Sequence, residues 1–359
     1  MSGSSLDGLD IAFVEFHESA GKWEYEIKAA DCYPYSEEWV KRLRGAIKLN
    51  ALDYQLLHAE YGHYIGEQVN AFIAQHNLQY QVQLIASHGH TTFHAPAQKM
   101  TGQLGDGAAI AAETGINVVS DLRAMDIALG GQGAPIVPIG EKLLLGNYNF
   151  FLNLGGIANI SYNNPDKYIA FDVCPANRVM NMLAHEAGKP YDDGGQIAAS
   201  GKLNESLLSM LNDLEYYRMP HPKSLANDFG TDVLYPLVKG SGISTEDALH
   251  TMVEHIATQI SAPILNQLKN EPPANGALKL LATGGGAHNR FLIERLQAAL
   301  QPAGVEVVVP EKNIIDFKEA LIMALIGILR WREEYNVLAS VTGASRSSIG
   351  GAVWIGQEA

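Results

Sequence analysis

The sequence predicts an α/β protein of two domains, each built on a mixed β-sheet with helices on its faces. The chain has 359 residues, of which 47% are hydrophobic, so it is longer than one typical domain and can bury a large core. Segments of strand character alternate with segments of helical periodicity, and each half begins with a hairpin around a glycine-containing turn. The predicted domains are 1–145 and 146–359; in an alternative division the C-terminal helix and tail join the first domain.

The first half opens with a β-hairpin, because two segments rich in aromatic and β-branched residues flank Gly21. Ser36 followed by two glutamates indicates the start of a helix, and apolar residues at helical spacing predict a long helix over 51–77. Beyond it come, in order, a buried strand (QLIAS), a short helix (GDGAAIAAETG), a strand (INVVSD) and a glycine-rich loop (DIALGGQGAPIVP) that can lie against a ligand.

The second half repeats this opening with FFLNLGGIANISY, which reads as a strand, a glycine turn and a second strand. YIAFDVCPAN is a third strand that leads into a helix ending at Gly188. Ser244 and Asp247 form a capping box for a long helix that ends near Lys269. After it come a strand, glycine loop and helix (LKLLATGGGAHNRFLIERLQAAL), a strand (VEVVVP) and a strongly apolar helix (FKEALIMALIGILRW).

Composition and charge exclude several classes of partner. There are 25 Lys and Arg against 39 Asp and Glu, and this net charge of −14 argues against a nucleic acid or an anionic membrane surface. Cys32 and Cys174 are too few and too far apart for a disulfide framework, which favours a reducing cytoplasm. No apolar run reaches the roughly 18 residues of a membrane helix, and no secretory signal is visible. We therefore expect a cytoplasmic protein without nucleic-acid or membrane partners.

The opening stretch GSSLDGLD combines the groups that bind phosphate with the groups that bind a cation. Backbone amides near its two glycines and the hydroxyls of Ser4 and Ser5 suit phosphate. The carboxylates of Asp7 and Asp10 suit Mg²⁺ or a polarised water. An ordinary hairpin turn accounts for the same residues equally well, since Ser, Asp and Gly are the common turn residues.

Two further glycine stretches could lie against a ligand. Gly155 and Gly156, in LNLGGIANI, let the backbone come within contact distance of a ligand, although a simple hairpin tip is the alternative. The triplet 284–286, in ATGGGAHN, sits between a buried strand and a helix and permits a nucleotide face or a phosphate there. Neither GxGxxG nor GxxxxGK[ST] is present, which makes a dinucleotide fold and a P-loop NTPase unfavourable interpretations.

Asp172 ends an apolar strand, a position typical of a catalytic carboxylate because the strand fixes it and the loop beyond admits substrate. The alternative is a helix N-cap. The histidines in HGHTTFH, at positions 88, 90 and 94, suggest zinc only weakly, since no HExxH or cysteine companion supports it. Polar contacts to a substrate are the preferred interpretation.

The sequence resembles the anhydro-N-acetylmuramic acid kinases, a family of the actin-like ATPase superfamily that also holds sugar kinases and chaperone ATPases. The resemblance covers essentially the whole chain, and its most specific blocks are DIALGGQGAPIVP and NLGGIANIS. Read in order, the blocks that carry it are MSGSSLDGLD, SHGHTTFH, SDLRAMDIALGGQGAPIVP, FLNLGGIANIS, GKPYD, PKSLANDFG, ATGGGAHN and KEALIMA.

The resemblance implies two actin-like (ribonuclease H-like) domains with the active site in the cleft between them. It implies a kinase that opens the 1,6-anhydro ring by adding water at the anomeric carbon, while the γ-phosphoryl group of ATP passes to the 6-oxygen. The products are N-acetylmuramate 6-phosphate and ADP, in peptidoglycan recycling. Such a reaction depends on positioning and charge neutralisation, with Mg²⁺ as cofactor, and on a general base for the water.

The resemblance also implies roles for individual residues. Asp172 matches the base, and Asp7 is expected to hold Mg²⁺, directly or through water. The chemistry of a guanidinium, rather than the resemblance, suggests that Arg123 pairs with the lactyl carboxylate as a fork donor. The residues assigned to ATP are Gly3, Ser4, Ser5, Leu6, Asp7, Gly8, Leu9, Asp10, Gly155, Gly156, Gly284, Gly285 and Gly286. The residues assigned to the sugar are His88, Arg123, Asp126, Gln132, Asn159 and Glu319. A homodimer is expected from the family and from the apolar helix over 317–331.

Three departures from the family pattern affect these expectations. DVCPAN stands where the family usually has DTGPGN, and His90 stands where it has Gln. Relatives carry an apolar strand before Met-Ser-Gly, so we expect this sequence to lack the first strand of the family, and a start assigned too late is the favoured explanation. The alternatives are a non-catalytic actin-like nucleotide or sugar sensor and, ranked last, a glycosidase, which needs a spaced carboxylate pair.

Overall fold

The computed structural model describes residues 1–3, 6–163, 168–221, 223–226, 228–270 and 277–356. Ser4 and Ser5 of the opening loop therefore lie outside the described residues. The chain forms two compact units, the first made of Met1–Leu145 with Phe317–Ala359 and the second of Gly146–Asp316. The C-terminal segment thus returns to the first unit.

Strands and helices alternate along both units. The described strands are β1 (Gly8–Ser19), β2 (Lys22–Pro34), β3 (Ile85–Ala86), β4 (His90–Ala95), β5 (Met100–Leu104), β6 (Val118–Ser120), β7 (Phe150–Leu154), β8 (Ile157–Asn163), β9 (Tyr168–Pro175), β10 (Leu278–Thr283), β11 (Val305–Val308) and β12 (Ala352–Trp354). The described α-helices are α1 (Glu37–Gly45), α2 (Ala51–Gln75), α3 (Gly107–Thr114), α4 (Ala124–Ala128), α5 (Pro138–Leu144), α6 (Asn177–Glu186), α7 (Gln196–Ser200), α8 (Glu205–Asn212), α9 (Glu215–Arg218), α10 (Tyr235–Gly240), α11 (Thr245–Asn270), α12 (Arg290–Leu300), α13 (Lys312–Trp331) and α14 (Ala339–Thr342).

The first unit combines two hairpins with a small mixed sheet. β1 pairs with β2 and β4 pairs with β5, both antiparallel, while β6 lies between antiparallel β12 and parallel β3. Ser2 joins the pieces, since it bridges Leu9 at the start of β1 and His90 at the start of β4. The long helix α2 is capped by Asn50, whose side chain accepts from the amide of Asp53, and its apolar face is buried with α3.

Helix α13 supplies much of the core of the first unit. Its apolar face, which includes Ile322, Leu325 and Ile326, is fully buried against Val119 and residues around α5. A β-carbon at Gly140 would lie 2.5 Å from Ile322, so α5 and α13 are in close contact. The apolar residues of this helix are therefore accounted for by the core of one chain, and they no longer argue for a dimer interface.

The second unit is a five-stranded mixed sheet in the order β11-β10-β7-β8-β9. β11, β10 and β7 are parallel, and β7, β8 and β9 form an antiparallel meander. The long helix α11 covers the sheet, and its expected start is confirmed, because the amide of Asp247 donates to the hydroxyl of Ser244 at 3.1 Å. The carboxyl ends of β7 and β10 therefore carry the two glycine-rich turns of this unit.

The α/β fold class with a mixed sheet in each unit is confirmed, as are the two hairpins that open the halves. Two details differ from the sequence prediction. The hairpin β4–β5 was not predicted, and the predicted glycine loop before α12 contains a 3-10 turn over Gly285–His288, after which Asn289 caps the helix. Within the described part of the chain, no helix has the length and apolarity required to cross a bilayer.

Candidate functional site

A row of polar side chains crosses the sheet of the second unit. The register pairs Thr283 with Asn153, Asn153 with Asn159, and Asn159 with Asp172. Cross-strand partners share one face of a sheet, so the four side chains lie side by side. The adjacent register position holds Leu152, which is fully buried. The sheet thus presents a polar line at the carboxyl ends of β7 and β10.

Asp172 is held by three hydrogen bonds from one segment of the chain. Its Oδ2 accepts from the amide of Leu225 at 2.9 Å, its own amide donates to the carbonyl of Lys223 at 3.2 Å, and its carbonyl accepts from the hydroxyl of Tyr216 at 2.6 Å. Burial raises the pKa of the Asp172 carboxyl above its ordinary value, and the bond from the Leu225 amide opposes that rise. A fixed carboxylate with a raised pKa is suited to accept a proton.

The glycine turn between β7 and β8 is fastened to the start of α6. The carbonyl of Gly155 accepts from the amide of Asn177 at 3.1 Å, and the carbonyl of Gly156 accepts from the amide of Ala176 at 2.9 Å. The amides at the start of α6 therefore bond to this turn. Because N–H and the preceding C=O point in opposite directions across a trans peptide, the amide of Gly156 points away from α6.

The three glycines after β10 have different surroundings. A β-carbon at Gly284, whose φ is +80°, would lie 2.5 Å from Oδ1 of Asn153, and one at Gly286 would lie 2.8 Å from Oδ1 of Asn177. Gly285 has more room, with the side chain of Asn177 at 3.7 Å. Asn177 also donates to the carbonyl of Leu154 at 2.8 Å, so this one side chain lies between the two glycine turns. The turns converge within the second unit.

The described part of the opening loop lies at the start of β1 in the first unit. Gly8 is required there, because a β-carbon would lie 2.7 Å from the backbone carbonyl oxygen of Tyr33. Oδ1 of Asp7 accepts from the amide of Gly8 at 3.1 Å, and Asp7 is exposed. Burial raises the pKa of Asp10, and the charges of Asp7 and Glu319 raise it further. Leu6 has a φ of +57°, and Leu9 lies in the core of this unit.

His88 and Arg123 form a pair with defined proton positions. Nε of Arg123 donates to Nε2 of His88 at 2.8 Å, and Nη1 of Arg123 donates to the carbonyl of Gly133 at 2.6 Å. His88 accepts at Nε2, so its proton is on Nδ1, which lies 3.1 Å from the carbonyl of Gly89. Burial and the nearby guanidinium lower the pKa of His88 to about 3, and burial lowers the pKa of Arg123 to about 10. His88 is therefore neutral.

Asp126 organises the glycine-rich loop over 130–133. It is fully buried, its Oδ2 accepts from the amide of Gly133 at 2.7 Å, and its Oδ1 accepts from the hydroxyl of Thr342 at 2.7 Å. Gly131 lies so close that a β-carbon there would be 2.2 Å from Oδ2. The amide of Gln132 donates to the carbonyl of Thr342 at 2.8 Å, while its side chain is exposed. Both carboxylate oxygens of Asp126 are thus used within the protein.

Glu319 and His90 are two further residues that the sequence singled out in this unit. Glu319 follows Lys318, whose buried ammonium lies 3.2 Å from Oε1 of Glu141. The charge of Glu319 acts to raise the pKa of both Asp10 and Arg123. His90 lies 3.0 Å from the hydroxyl of Ser2 through Nδ1. Among the described residues, no three His, Cys, Asp or Glu side chains are grouped so that they could hold a metal ion.

Sequence reasoning missed several residues that build the site. Asn153 had a visible signal, since it is the polar residue within the apolar strand FFLNL. Tyr216, Leu225 and Thr342 had none, because each acts through a contact with a residue far away in the sequence. The structure groups Asn159 with Asp172 and the two glycine turns in the second unit, and it groups His88, Arg123, Asp126, Gln132, Glu319 and the opening loop in the first.

The family model and the curated relatives agree over nearly the whole chain. Residues 1–356 match the family model described as anhydro-N-acetylmuramic acid kinase. The anhydro-N-acetylmuramic acid kinase of Hydrogenovibrio crunogenus is 35% identical over 99% of this chain and 96% of its own, and that of Haemophilus influenzae is 33% identical over the same shares. An activator of 2-hydroxyisocaproyl-CoA dehydratase from Clostridium difficile has a TM-score of 0.36 at 16% identity, covering 60% of this chain and 68% of that one, which is too low to carry an argument. The family match and the curated relatives establish that the chain belongs to the anhydro-N-acetylmuramic acid kinase family.

Proposed function

We propose that this protein phosphorylates 1,6-anhydro-N-acetylmuramic acid with ATP while opening the anhydro ring with water. The observation that carries this function is the fixed carboxylate of Asp172 on β9, beside Asn159 and within the unit that also holds two converging glycine turns. A general base and a phosphate-binding backbone are the two requirements of a hydrolytic kinase. Family membership supplies the substrate class.

In this proposal Asp172 takes a proton from the water that attacks the anomeric carbon. The new bond forms between the water oxygen and that carbon, and the bond from the carbon to the bridging 6-oxygen breaks. The 6-oxygen then accepts the γ-phosphoryl group, and ADP leaves. The raised pKa of Asp172 supports this role, because a base is most effective when its pKa approaches the working pH.

Asn159 lies directly across the ladder from Asp172 and is proposed to contact the sugar beside the base. The amide of Gly156, which points away from α6, and the open position at Gly285 are proposed to face the phosphates of ATP. Gly284 and Gly286 have a different role, since contacts within the protein already require glycine at both positions. We propose that these two glycines let the turns approach each other.

The opening loop from Gly3 to Asp10 is proposed to meet the β- and γ-phosphates, with Asp7 holding Mg²⁺ directly or through water. The residues fit a cation, because the charges of Asp7 and Glu319 both act on Asp10, and this excess of negative charge would otherwise repel a phosphate. A single exposed carboxylate suits Mg²⁺, which keeps several waters and takes its other ligands from substrate phosphates. The ion would neutralise charge on the transferring group.

On the sugar side, Arg123 remains the proposed partner of the lactyl carboxylate, but with a changed geometry. Its Nε already donates to His88 and its Nη1 to the carbonyl of Gly133. The side-on fork through Nε is therefore occupied, and we propose contact through the outer end of the guanidinium. His88 and Asp126 are proposed to position Arg123 and the loop over 130–133, while Gln132 and Glu319 line the sugar.

The remaining expectations are proposals of the same kind. The two compact units are proposed to be the two actin-like domains, with the segment from Phe317 belonging to the first. A homodimer is proposed on the family resemblance alone, because the apolar face of α13 is buried in the core. A cytoplasmic location is supported by the use of ATP and by two cysteines that are not joined in a disulfide.

The test is coupled ADP release by the protein with Mg-ATP and 1,6-anhydro-N-acetylmuramic acid, in water enriched in ¹⁸O. We expect ADP only when the sugar is present, and one ¹⁸O atom at the anomeric hydroxyl of the product. Asp172→Asn should reduce turnover by roughly 10²–10⁴-fold. Asp232→Asn, which changes an exposed aspartate of the same unit, is the matched control and should retain it. ADP release without sugar, or full turnover in Asp172→Asn, would contradict the proposal.

A further inference from the structure

Three residues outside the proposed catalytic and ligand-binding set contact Asp172 from one side. Asp172 lies on β9, the outermost described strand of its sheet, and both of its main-chain polar groups bond outward, to Tyr216 and Lys223. Its Oδ2 bonds to the amide of Leu225. We refer to Tyr216, Lys223 and Leu225 as the strap. The strap therefore holds the backbone and the carboxylate of Asp172 at the same time.

The strap is also tied together internally. Nζ of Lys223 donates to the carbonyl of Tyr216 at 3.1 Å and lies 4.5 Å from the centre of the Tyr216 ring. The Tyr216 ring also contacts Phe229, with centroids 5.6 Å apart. A cation over an aromatic face and a backbone hydrogen bond both close the same loop. Both contacts join Lys223 to Tyr216. The two residues that bond to the backbone of Asp172 are therefore held at a fixed distance from each other.

Helix α9, which carries Tyr216, is anchored in the interior through its next residue. The hydroxyl of Tyr217 lies 3.0 Å from Nε2 of His255, and Nδ1 of His255 lies 2.6 Å from Oδ1 of Asn212. His255 is fully buried, and burial lowers its pKa to about 3, so the ring is neutral. Because Oδ1 of Asn212 can only accept, His255 donates through Nδ1 and accepts from Tyr217. Both ring nitrogens of the buried His255 therefore have a partner, and this pair of hydrogen bonds anchors α9.

We propose that the strap is a positioning element for the general base: Tyr216 fixes the backbone of Asp172, and the Leu225 amide fixes Oδ2 so that Oδ1 is presented to the water. This inference rests on the proposed function, in which Asp172 is the base. The strap residues do not touch the reacting atoms in this proposal. They act through the orientation of Asp172 and through the donor that favours its ionised form.

The first test removes the amide donor alone. Leu225→Pro deletes the N–H that bonds to Oδ2, and Leu225→Ala is its matched control, because it shortens the side chain but keeps the donor. The readout is the ¹³C shift of the Asp172 carboxyl in the full chain, identified by its absence in Asp172→Asn and titrated with pH. We expect the titration midpoint to rise in Leu225→Pro and to stay at the wild-type position in Leu225→Ala. We also expect kcat to fall about tenfold in the proline variant, with the KM for ATP unchanged.

The second test leaves the backbone intact, and it decides the question if Leu225→Pro does not fold. Tyr216→Phe keeps the ring over which Lys223 lies and removes only the hydroxyl that bonds to the carbonyl of Asp172. Tyr235→Phe, which removes an exposed hydroxyl bonded to Glu186, is the control. We expect a several-fold loss of kcat with an unchanged KM for ATP in Tyr216→Phe, and wild-type kinetics in Tyr235→Phe.

The outcomes separate the strap from the function it serves. An Asp172 midpoint that is the same in Leu225→Pro and wild type, or that moves equally in Leu225→Ala, overturns the strap even if the enzyme is an active kinase. Wild-type kcat in Tyr216→Phe overturns the part assigned to Tyr216. A shifted midpoint in a protein that shows no sugar-dependent ADP release supports the strap and rejects the proposed function instead.

Discussion

Asn159 and Asp172 are direct cross-strand partners in the antiparallel pair β8–β9, at a point where the register shifts by one residue. The next pair along the ladder is Ala158 with Cys174, so Val173 is the extra residue of a β-bulge. Without the extra residue, every side chain on one side of the bulge would point to the opposite face of the sheet. Because of the bulge, Asp172 pairs with Asn159 in the site, while Cys174, two positions along, pairs with Ala158 in the core.

The closeness of this pair predicts the effect of a second charge. Directly opposed side chains have their β-carbons about 5 Å apart, so a carboxylate in place of Asn159 would lie beside that of Asp172. Like charges disfavour the ionised form, and Asn159→Asp should therefore raise the pKa of Asp172. We expect the acidic limb of kcat/KM for the sugar to move to higher pH. Asn159→Ala removes the amide without adding charge, and a pH profile of Asn159→Asp identical to that of the alanine variant would contradict the prediction.

The raised pKa of Asp172 also predicts how the base affects stability. Because the pKa of Asp172 is raised on folding, the folded protein binds this proton more tightly than the unfolded chain does. The protonated carboxyl therefore stabilises the fold at pH values below the ordinary Asp pKa, and this stabilisation is lost as the pH rises through the pKa of the folded state. At pH 7 the ionised carboxylate is therefore less favourable than a neutral side chain of the same shape. Asp172→Asn should lose turnover yet melt at the same or a higher temperature at pH 7. A lower melting temperature would show that the carboxylate stabilises the fold.

The glycine turn allows a test that separates ligand contact from folding. A β-carbon added at Gly156 would lie 3.8 Å from its nearest neighbour among the described residues, the side chain of Arg178. The φ angle at Gly156 is not in the left-handed region. Alanine therefore fits at this position in the free protein. If the amide of Gly156 faces phosphate, the added methyl group should obstruct ATP and raise its KM about tenfold or more, while the free energy of unfolding changes by less than about 1 kcal/mol. Gly240→Ala, at an open position of the same unit, is the matched control and should change neither quantity much. An unchanged KM for ATP in Gly156→Ala removes this turn from the phosphate site.

Local patterns in the sequence predicted the parts of the site that depend on neighbouring residues. The strand that carries Asp172 and the turn that carries Gly155 and Gly156 follow from the alternation of apolar residues and from turn chemistry. The prediction that Asp172 ends its strand was wrong, because β9 continues to Pro175. The hairpin at the start of the chain followed from the same signals. These features are encoded within about ten residues of chain, which is the range over which periodicity is informative.

The partners of these residues could not be predicted, because they depend on register and tertiary packing. Tyr216 is 44 positions from Asp172 and Leu225 is 53, and neither stands in a pattern that points to a carboxylate. The role of Asp126 changed for the same reason. The loop around it predicted a ligand contact, whereas the structure places Thr342, 216 positions away, on its Oδ1. A buried carboxylate must find partners, and the sequence alone does not say whether they come from ligand or protein.

The Asp126–Thr342 contact leads to a prediction about the sugar side of the site. Thr342→Val keeps the shape of the side chain but leaves Oδ1 of Asp126 buried without its donor. An unpaired buried acceptor costs about 1–3 kcal/mol of folding free energy, and more where it is charged. The loss should also loosen the loop at Gly133, whose amide bonds to Asp126 and whose carbonyl accepts from Arg123. We therefore expect a lower melting temperature and a raised KM for the sugar, with the KM for ATP unchanged.

Two further variants make that prediction specific. Thr342→Ser restores the hydroxyl without the methyl group and should recover most of the affinity for the sugar. Thr258→Val removes a hydroxyl that bonds to a carbonyl within the exposed face of α11, and it should leave both KM values unchanged. If Thr342→Val destabilised the protein but bound the sugar normally, Asp126 would hold the loop without affecting Arg123. Equal losses in the serine and valine variants would assign the effect to the methyl group, and the hydrogen bond to Asp126 would then have no part in sugar binding.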